Sequence, residues 1–274
     1  MNPGKCSIKA DFLEHHGRKL FYLLLEPIDS DVQGSVLFLP PFAEEMHRSR
    51  HVVACQAREI AAAGYSVMLL DLTGCGDAGG DFSDASWQKW LQDAEAGAQA
   101  LSNFGNGVLI LWGLRLGALL AVELAQKRPD IARLLLWHPV LNGEQQIDQF
   151  LRLRTAAAAI ANTSAFDRRS LWSELRSGRS LDVAGYELSP VLAVEMARAR
   201  LSDLTPGCPV RWVEVGAASA GTLSIPSENV VAHWRAQGIG VETKYIQGDP
   251  FWRIAEVGIN HPLQLDTQRF FSRR

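Results

Sequence analysis

Gly107-Val108-Leu109-Ile110-Leu111-Trp112-Gly113-Leu114-Arg115-Leu116-Gly117-Ala118 is the stretch on which the fold turns. Its apolar run suits a strand buried on both faces, and the residues from Leu119 to Lys127 read as a helix. Between them lies a tight turn of form Gly-x-Arg-x-Gly. Glycines flank such a turn where the backbone is strained and packed too closely for a Cβ. The turn is centred on Arg115, whose guanidinium stays protonated and brings charge rather than a nucleophilic electron pair.

Outward from this turn, strand and helix alternate. Phe12 to Glu26 reads as a hairpin through His15-His16-Gly17-Arg18, with Leu20 to Leu25 the more buried strand, ended by Pro27. Ser35 to Leu39 is a short apolar strand stopped by Pro40-Pro41. Helical spacing follows through Val52, Val53, Gln56, Ile60 and Ala63, closed by Gly64. Tyr65 to Leu70 is a strand, Asp71 to Gly80 a glycine-rich loop, Trp87 to Ser102 a helix and Ile131 to Trp137 a strand. This order predicts a mainly parallel, doubly wound α/β sheet with right-handed crossovers. From Asn142 to about Leu204 the rhythm breaks into helical composition with no convincing strand. Residues 142–205 are therefore expected to be a helical cap, and 1–141 with 206–274 the core. Strands resume at Val210 to Gly216 and Val241 to Ile246, separated by a helix from Ser227 to Gln237. A last helix begins at Ile254 or Leu263 and runs to Phe271.

The bulk numbers narrow the class. The 274 residues are 47% hydrophobic and 21% charged, ordinary for a globular chain, and the net charge of -3 provides no basic field for nucleic acid. Cys6, Cys55, Cys75 and Cys208 form no CxxC pair, so neither a zinc site nor a disulfide framework is expected and a cytoplasmic setting is the simpler reading. Neither a signal peptide nor a membrane span is expected.

The ordered motifs resemble the α/β-hydrolase superfamily over nearly the whole chain. Pro40-Pro41-Phe42-Ala43-Glu44-Glu45-Met46, the Gly113-Leu114-Arg115-Leu116-Gly117 turn, Gly185-Tyr186-Glu187-Leu188-Ser189-Pro190 and Gly248-Asp249-Pro250-Phe251-Trp252 are similar to one branch of it. That branch is the second exosortase-system-associated hydrolase, found in bacteria that sort PEP-CTERM proteins and make exopolysaccharide. The resemblance implies a hydrolase whose nucleophile stands at the elbow, with an acid after the seventh sheet strand and a histidine after the eighth.

The residues present depart from that pattern at all three places. The elbow holds Arg115. The loop Ala217-Ala218-Ser219-Ala220-Gly221-Thr222 contains no Asp, and Glu228 is the carboxylate nearby, at a helix start where the dipole favours it. After the last strand comes Gly248-Asp249-Pro250, and His261 follows some residues late. The acyl-transfer machinery is therefore expected to be missing. An alternative is water activation by Glu44, Glu45 or His138, with Arg115 stabilising developing negative charge.

A guanidinium at a helix N-terminus needs a negative partner. Glu44, Glu45, Asp77, Asp81 and Asp249 are internal candidates, and a ligand carboxylate or phosphate held with the helix N–H groups is the external one. A ligand site would accordingly draw on Arg115, Leu116, Phe42, Ala43, Glu44, Glu45, Asp249 and Trp252, for an anionic or acyl small molecule. His47 and His138 are expected near the same rim. Gly74-Cys75-Gly76-Asp77-Ala78-Gly79 matches GxGxxG, but the loop continues where a helix should open, which leaves an NAD-binding oxidoreductase a distant alternative. Cys75 has no nearby histidine to activate it. No cofactor or metal is expected. The cap arginines (Arg152, Arg154, Arg168, Arg169, Arg176, Arg179) are either a solvated face or a docking surface for an acidic protein partner.

Overall fold

Every residue of β5 (Leu109–Leu114) is buried, as its unbroken apolar run requires. The strand lies within an eight-stranded sheet. In chain order the other strands of this sheet are β1 (Cys6–His15), β2 (Arg18–Pro27), β3 (Gly34–Leu39), β4 (Tyr65–Leu70), β6 (Ile131–Trp137), β9 (Val210–Gly216) and β10 (Val241–Gln247), arranged β1-β2-β4-β3-β5-β6-β9-β10. The pairings from β4 through to β10 are parallel, and β1 and β2 add antiparallel at one edge. This computed structural model describes residues 6–28, 31–102, 107–160, 167–216, 221–254 and 258–272. Residues 217–220, within the loop where the resemblance implies an acid, lie outside them.

Period-two alternation sorts the strand side chains into two cores. Leu37, Leu39, Leu111, Leu134, Leu136 and Trp212 face α2 (Trp87–Ser102), α3 (Leu116–Lys127) and α7 (Ile225–Ala236). Val36, Phe38, Ile110, Trp112, Trp137 and Val213 face α1 (Glu44–Ala62) and α8 (His261–Ser272). Helices on both faces make the sheet doubly wound, as expected. No helix among the described residues is long and apolar enough to cross a membrane.

Between β6 and β9 the chain leaves the sheet for α4 (Gly143–Ile160), α5 (Arg168–Arg176), a hairpin of β7 (Leu181–Val183) and β8 (Tyr186–Leu188), and α6 (Pro190–Met196). An Asn142–Arg200 bridge draws the two ends of this excursion together. The hairpin corrects the expectation of no strand here. It is too short to show a periodic pattern, and it turns on Ala184 and Gly185, both at positive φ. Two helix starts also differ from the sequence reading. α1 begins at Glu44, eight residues before Val52, because two carboxylates in its first turn favour the positive end of the helix dipole. α8 begins at His261, where Asn260 accepts a hydrogen bond from the Leu263 N–H at 3.0 Å and caps the helix.

Candidate functional site

The elbow has the strained backbone its glycines announce. Arg115 sits at φ 55°, ψ -116° between β5 and α3. A Cβ at Gly117 would run into the Leu39 carbonyl oxygen, and one at Gly113 into the Cα of Ala118. Close approach of β3 therefore dictates Gly117, and the tight fold of β5 onto the first turn of α3 dictates Gly113, whatever the central side chain. The Arg115 N–H donates to the Trp137 carbonyl at 2.9 Å, and its carbonyl accepts from the Ala118 and Val140 N–H groups at 3.1 Å each. The strain is thus held by bonds to neighbouring elements.

The Arg115 side chain is only 7% exposed, and its counter-charge is Glu45, at 13%. Nε lies 3.3 Å from both Glu45 carboxylate oxygens and Nη2 lies 3.2 Å from Oε1. Nη2 also donates to Gln146 Oε1 on α4 at 3.3 Å, and the guanidinium lies 5.3 Å from the Trp252 ring centroid. Of the internal candidates, Glu45 takes the role. Glu44 turns the other way, accepting from Tyr186 Oη at 3.2 Å, with Arg48 Nε at 3.8 Å. Burial and the Glu44 carboxylate push the Tyr186 phenol up, so it stays a donor.

His138 closes the same region from the end of β6, again at positive φ (44°). Its Nδ1 accepts from the Val215 N–H at 3.2 Å, and its ring packs 4.7 Å from that of Trp252. Burial and the Arg115 cation hold its pKa down at about 3. The neutral ring therefore carries its proton on Nε2 and has its free lone pair already occupied at Nδ1.

The space beside the elbow is filled. Phe42 packs edge-on against Phe150 at 4.9 Å, Phe82 packs against Tyr186 at 5.1 Å, and Trp90 closes on Phe42 at 6.1 Å. Only about 10 Å³ remains between Phe42, Ala43, Trp90, Leu116 and Gly117. Above it opens a cleft of about 470 Å³ between α1, α4 and the segment after β10. Glu44, Glu45, Arg48, Gln146, Phe150, Arg152, Trp252 and Arg253 are among its lining. Of the residues expected to line a ligand site, Phe42, Glu44, Glu45 and Trp252 face this cleft. Ala43 and Leu116 border the narrow remnant behind it, and Arg115 lies buried under Glu45.

The remaining candidates lie elsewhere. Asp249 is exposed and outside the cleft lining. Glu228 is exposed on α7, beside a depression it shares with Lys244 and Tyr245. His261 is exposed at the first turn of α8, and His47 is exposed on α1. Asp77 stays on the glycine-rich loop, its N–H donating to Asp71 Oδ2 at 3.0 Å, and Asp81 caps a short 3-10 turn. Burial, with Asp71 and Asp93, pushes the Cys75 thiol up to about 12, so it remains protonated. Of the arginines in the excursion, Arg168 ties α5 to Glu144 and Asp148 on α4, and Arg176 stacks over Trp172. Sequence reasoning missed Gln146, Arg48 and Arg253. Nothing in their spacing marks them, because they meet only when α1, α4 and the segment after β10 converge.

The sequence profile of the family described as serine aminopeptidase, S33, matches residues 30–201, from β3 through the elbow and the excursion. The chain belongs to this family of α/β-hydrolases. Within this S33 chain the elbow position carries Arg115. Solved structures give the same fold at low identity. Est1E of Butyrivibrio proteoclasticus, solved with ferulic acid bound, superposes with a TM-score of 0.63 at 16% identity, covering 95% of this chain and 97% of that one. Mouse alpha/beta hydrolase domain-containing protein 10 gives 0.60 at 17%, over 96% and 98%. A thioesterase domain from the curacin biosynthetic pathway gives 0.58 at 16%, over 95% and 99%. A search of curated proteins by sequence found no match.

Proposed function

We propose that this S33-family chain is a non-hydrolytic binding protein that takes a small anionic ligand with an apolar or aromatic part. The observation that carries this is the elbow itself. Where a nucleophile would stand, Arg115 is closed off by Glu45 and Gln146 beneath Trp252, and the adjoining space is packed with aromatic rings. What stays open is the 470 Å³ cleft, whose rim carries Arg48, Arg152 and Arg253 beside Phe150 and Trp252. Arg48 is shared with Glu44 and the Arg253 carbonyl, and Arg253 Nη2 donates to the neutral Gln149 Oε1 at 3.4 Å, so the charges of Arg152 and Arg253 are the ones to meet a carboxylate or phosphate.

Water activation is the weaker reading of the same geometry. Glu45 is committed to Arg115, and the accepting nitrogen of His138 is committed to Val215. The exosortase and exopolysaccharide setting, in the cytoplasm, is the narrower part of the proposal and rests on motif resemblance. Deleting the gene should alter surface display of PEP-CTERM proteins or exopolysaccharide yield, and an unchanged strain would remove that part alone.

The core test pairs a thermal-shift panel of fatty, aryl and phosphorylated acids with a turnover assay. The panel should give a shift that Arg253→Ala and Arg152→Ala reduce. p-Nitrophenyl esters should not turn over, and a fluorophosphonate probe should not label the chain. Saturable turnover abolished by Arg115→Ala would overturn the proposal.

A further inference from the structure

β1 is an edge strand of ten residues, paired with β2 in continuous register without bulge or proline. Its Ser7, Ile8, Lys9 and Ala10 are all exposed, and Ile8 and Phe12 are large apolar side chains each 49% exposed on one face. Native sheets usually blunt such an edge. Here the one lysine in the middle is neutralised by its own strand, since Lys9 Nζ lies 2.7 Å from Asp11 Oδ2.

The direction of the free backbone groups follows from β2. The Phe21 carbonyl accepts from the Asp71 N–H at 2.9 Å, so the backbone groups of Phe21 point away from β1. Phe12, its partner in the ladder, must therefore turn its own N–H and C=O outward. Among the described residues, its N–H has only the neighbouring Asp11 side chain as acceptor, at 2.9 Å. The same parity turns Ala10 and Ile8 outward.

We infer that β1 pairs with β1 of a second copy of this chain, antiparallel and about a two-fold axis through Ala10. In that register Ala10 faces Ala10 once on the axis, while Ile8 faces Phe12 and Lys9 faces Asp11, each of these two pairs occurring twice by symmetry. Ile8, Ala10 and Phe12 of each copy exchange backbone hydrogen bonds with the other, as their outward groups require. Lys9 and Asp11 fall on the non-hydrogen-bonded positions, where opposed side chains come closest. Sliding by two residues either way sets Asp11 against Asp11 or Lys9 against Lys9. Charge therefore selects one register. The pairing joins the two sheets edge to edge and leaves the cleft of each copy untouched.

Light scattering behind size-exclusion of the full chain at micromolar concentration should give twice the chain's mass. Ala10→Pro removes an outward N–H while sparing the β1–β2 ladder, and should yield monomer with unchanged circular dichroism. Lys9→Glu should also give monomer, and adding Asp11→Lys should restore the dimer. Ala10→Cys should cross-link to its own copy on oxidation. Ser7→Cys should not, because its two copies would stand roughly 20 Å apart at about 3.4 Å per residue. A monomer at every concentration, or a dimer that survives both Ala10→Pro and Lys9→Glu, would overturn the inference.

Discussion

The turns that end β3 and β5 have nearly the same backbone and opposite contents. Ala43 lies at φ 49°, ψ -124° and Arg115 at φ 55°, ψ -116°, and each opens a helix without a side-chain cap. One presents a methyl group and places Glu45 two residues on. The other presents the guanidinium that Glu45 meets. The comparison separates two things that a glycine-flanked elbow joins. The glycines are set by how closely the end of β3 and the first turn of α3 crowd the elbow, whereas the chemistry is set by a single side chain. A third strand end, His138 after β6, adopts positive φ as well and delivers a neutral ring to the same place.

The largest expected effect breaks the frame. Gly117→Ala would force a Cβ into the Leu39 carbonyl. It should cost more than about 4 kcal/mol, read as a loss of soluble folded protein or a collapsed melting temperature.

Next in size is a pH dependence. His138 titrates at about 3 in the folded chain against an ordinary 6.5, so the unfolded chain takes up its proton first as pH falls. Its contribution to stability is complete above pH 6.5 and is lost progressively as pH falls toward 3, by up to about 1.4 kcal/mol per pH unit. His138→Asn, which accepts left-handed backbone, should flatten the stability curve in that window by one proton. An unchanged slope from chemical denaturation would show that the ring is protonated in the folded state.

The smallest effect has the opposite sign. Ala43→Gly relieves positive-φ strain of about 1–3 kcal/mol and gives back roughly 0.5–1 in backbone entropy, so melting should rise modestly. A rise would show that Ala43, like Arg115, is held in a strained backbone; no rise would show that the buried methyl offsets the strain.

What the sequence made legible follows the same division. The buried strands, Gly113, Gly117 and the helices on both faces could be read because burial on two faces leaves unbroken apolar runs. The departure at Arg115 was equally plain. Its partner was narrowed to a few carboxylates and no further, because choosing Glu45 over Glu44 depends on which side of α1 faces the elbow, and α1 starts eight residues earlier than its periodicity reveals. Gln146 and Trp252 reach the site from segments distant in sequence, where no local pattern constrains them. The hairpin around Ala184 and Gly185 was hidden by its brevity, and the aromatic filling by the fact that Phe42, Phe82, Phe150 and Tyr186 belong to four separate segments.

The central claim is that Arg115 and Glu45 form a buried structural pair in place of a catalytic nucleophile, and a double-mutant cycle tests it most directly. Equilibrium unfolding of Glu45→Gln should show a loss of about 3–5 kcal/mol, the cost of stranding a buried guanidinium, and Arg115→Met a smaller loss. The double variant should recover most of the stability, giving a large coupling between the two sites. Simple addition of the two single losses would contradict the account.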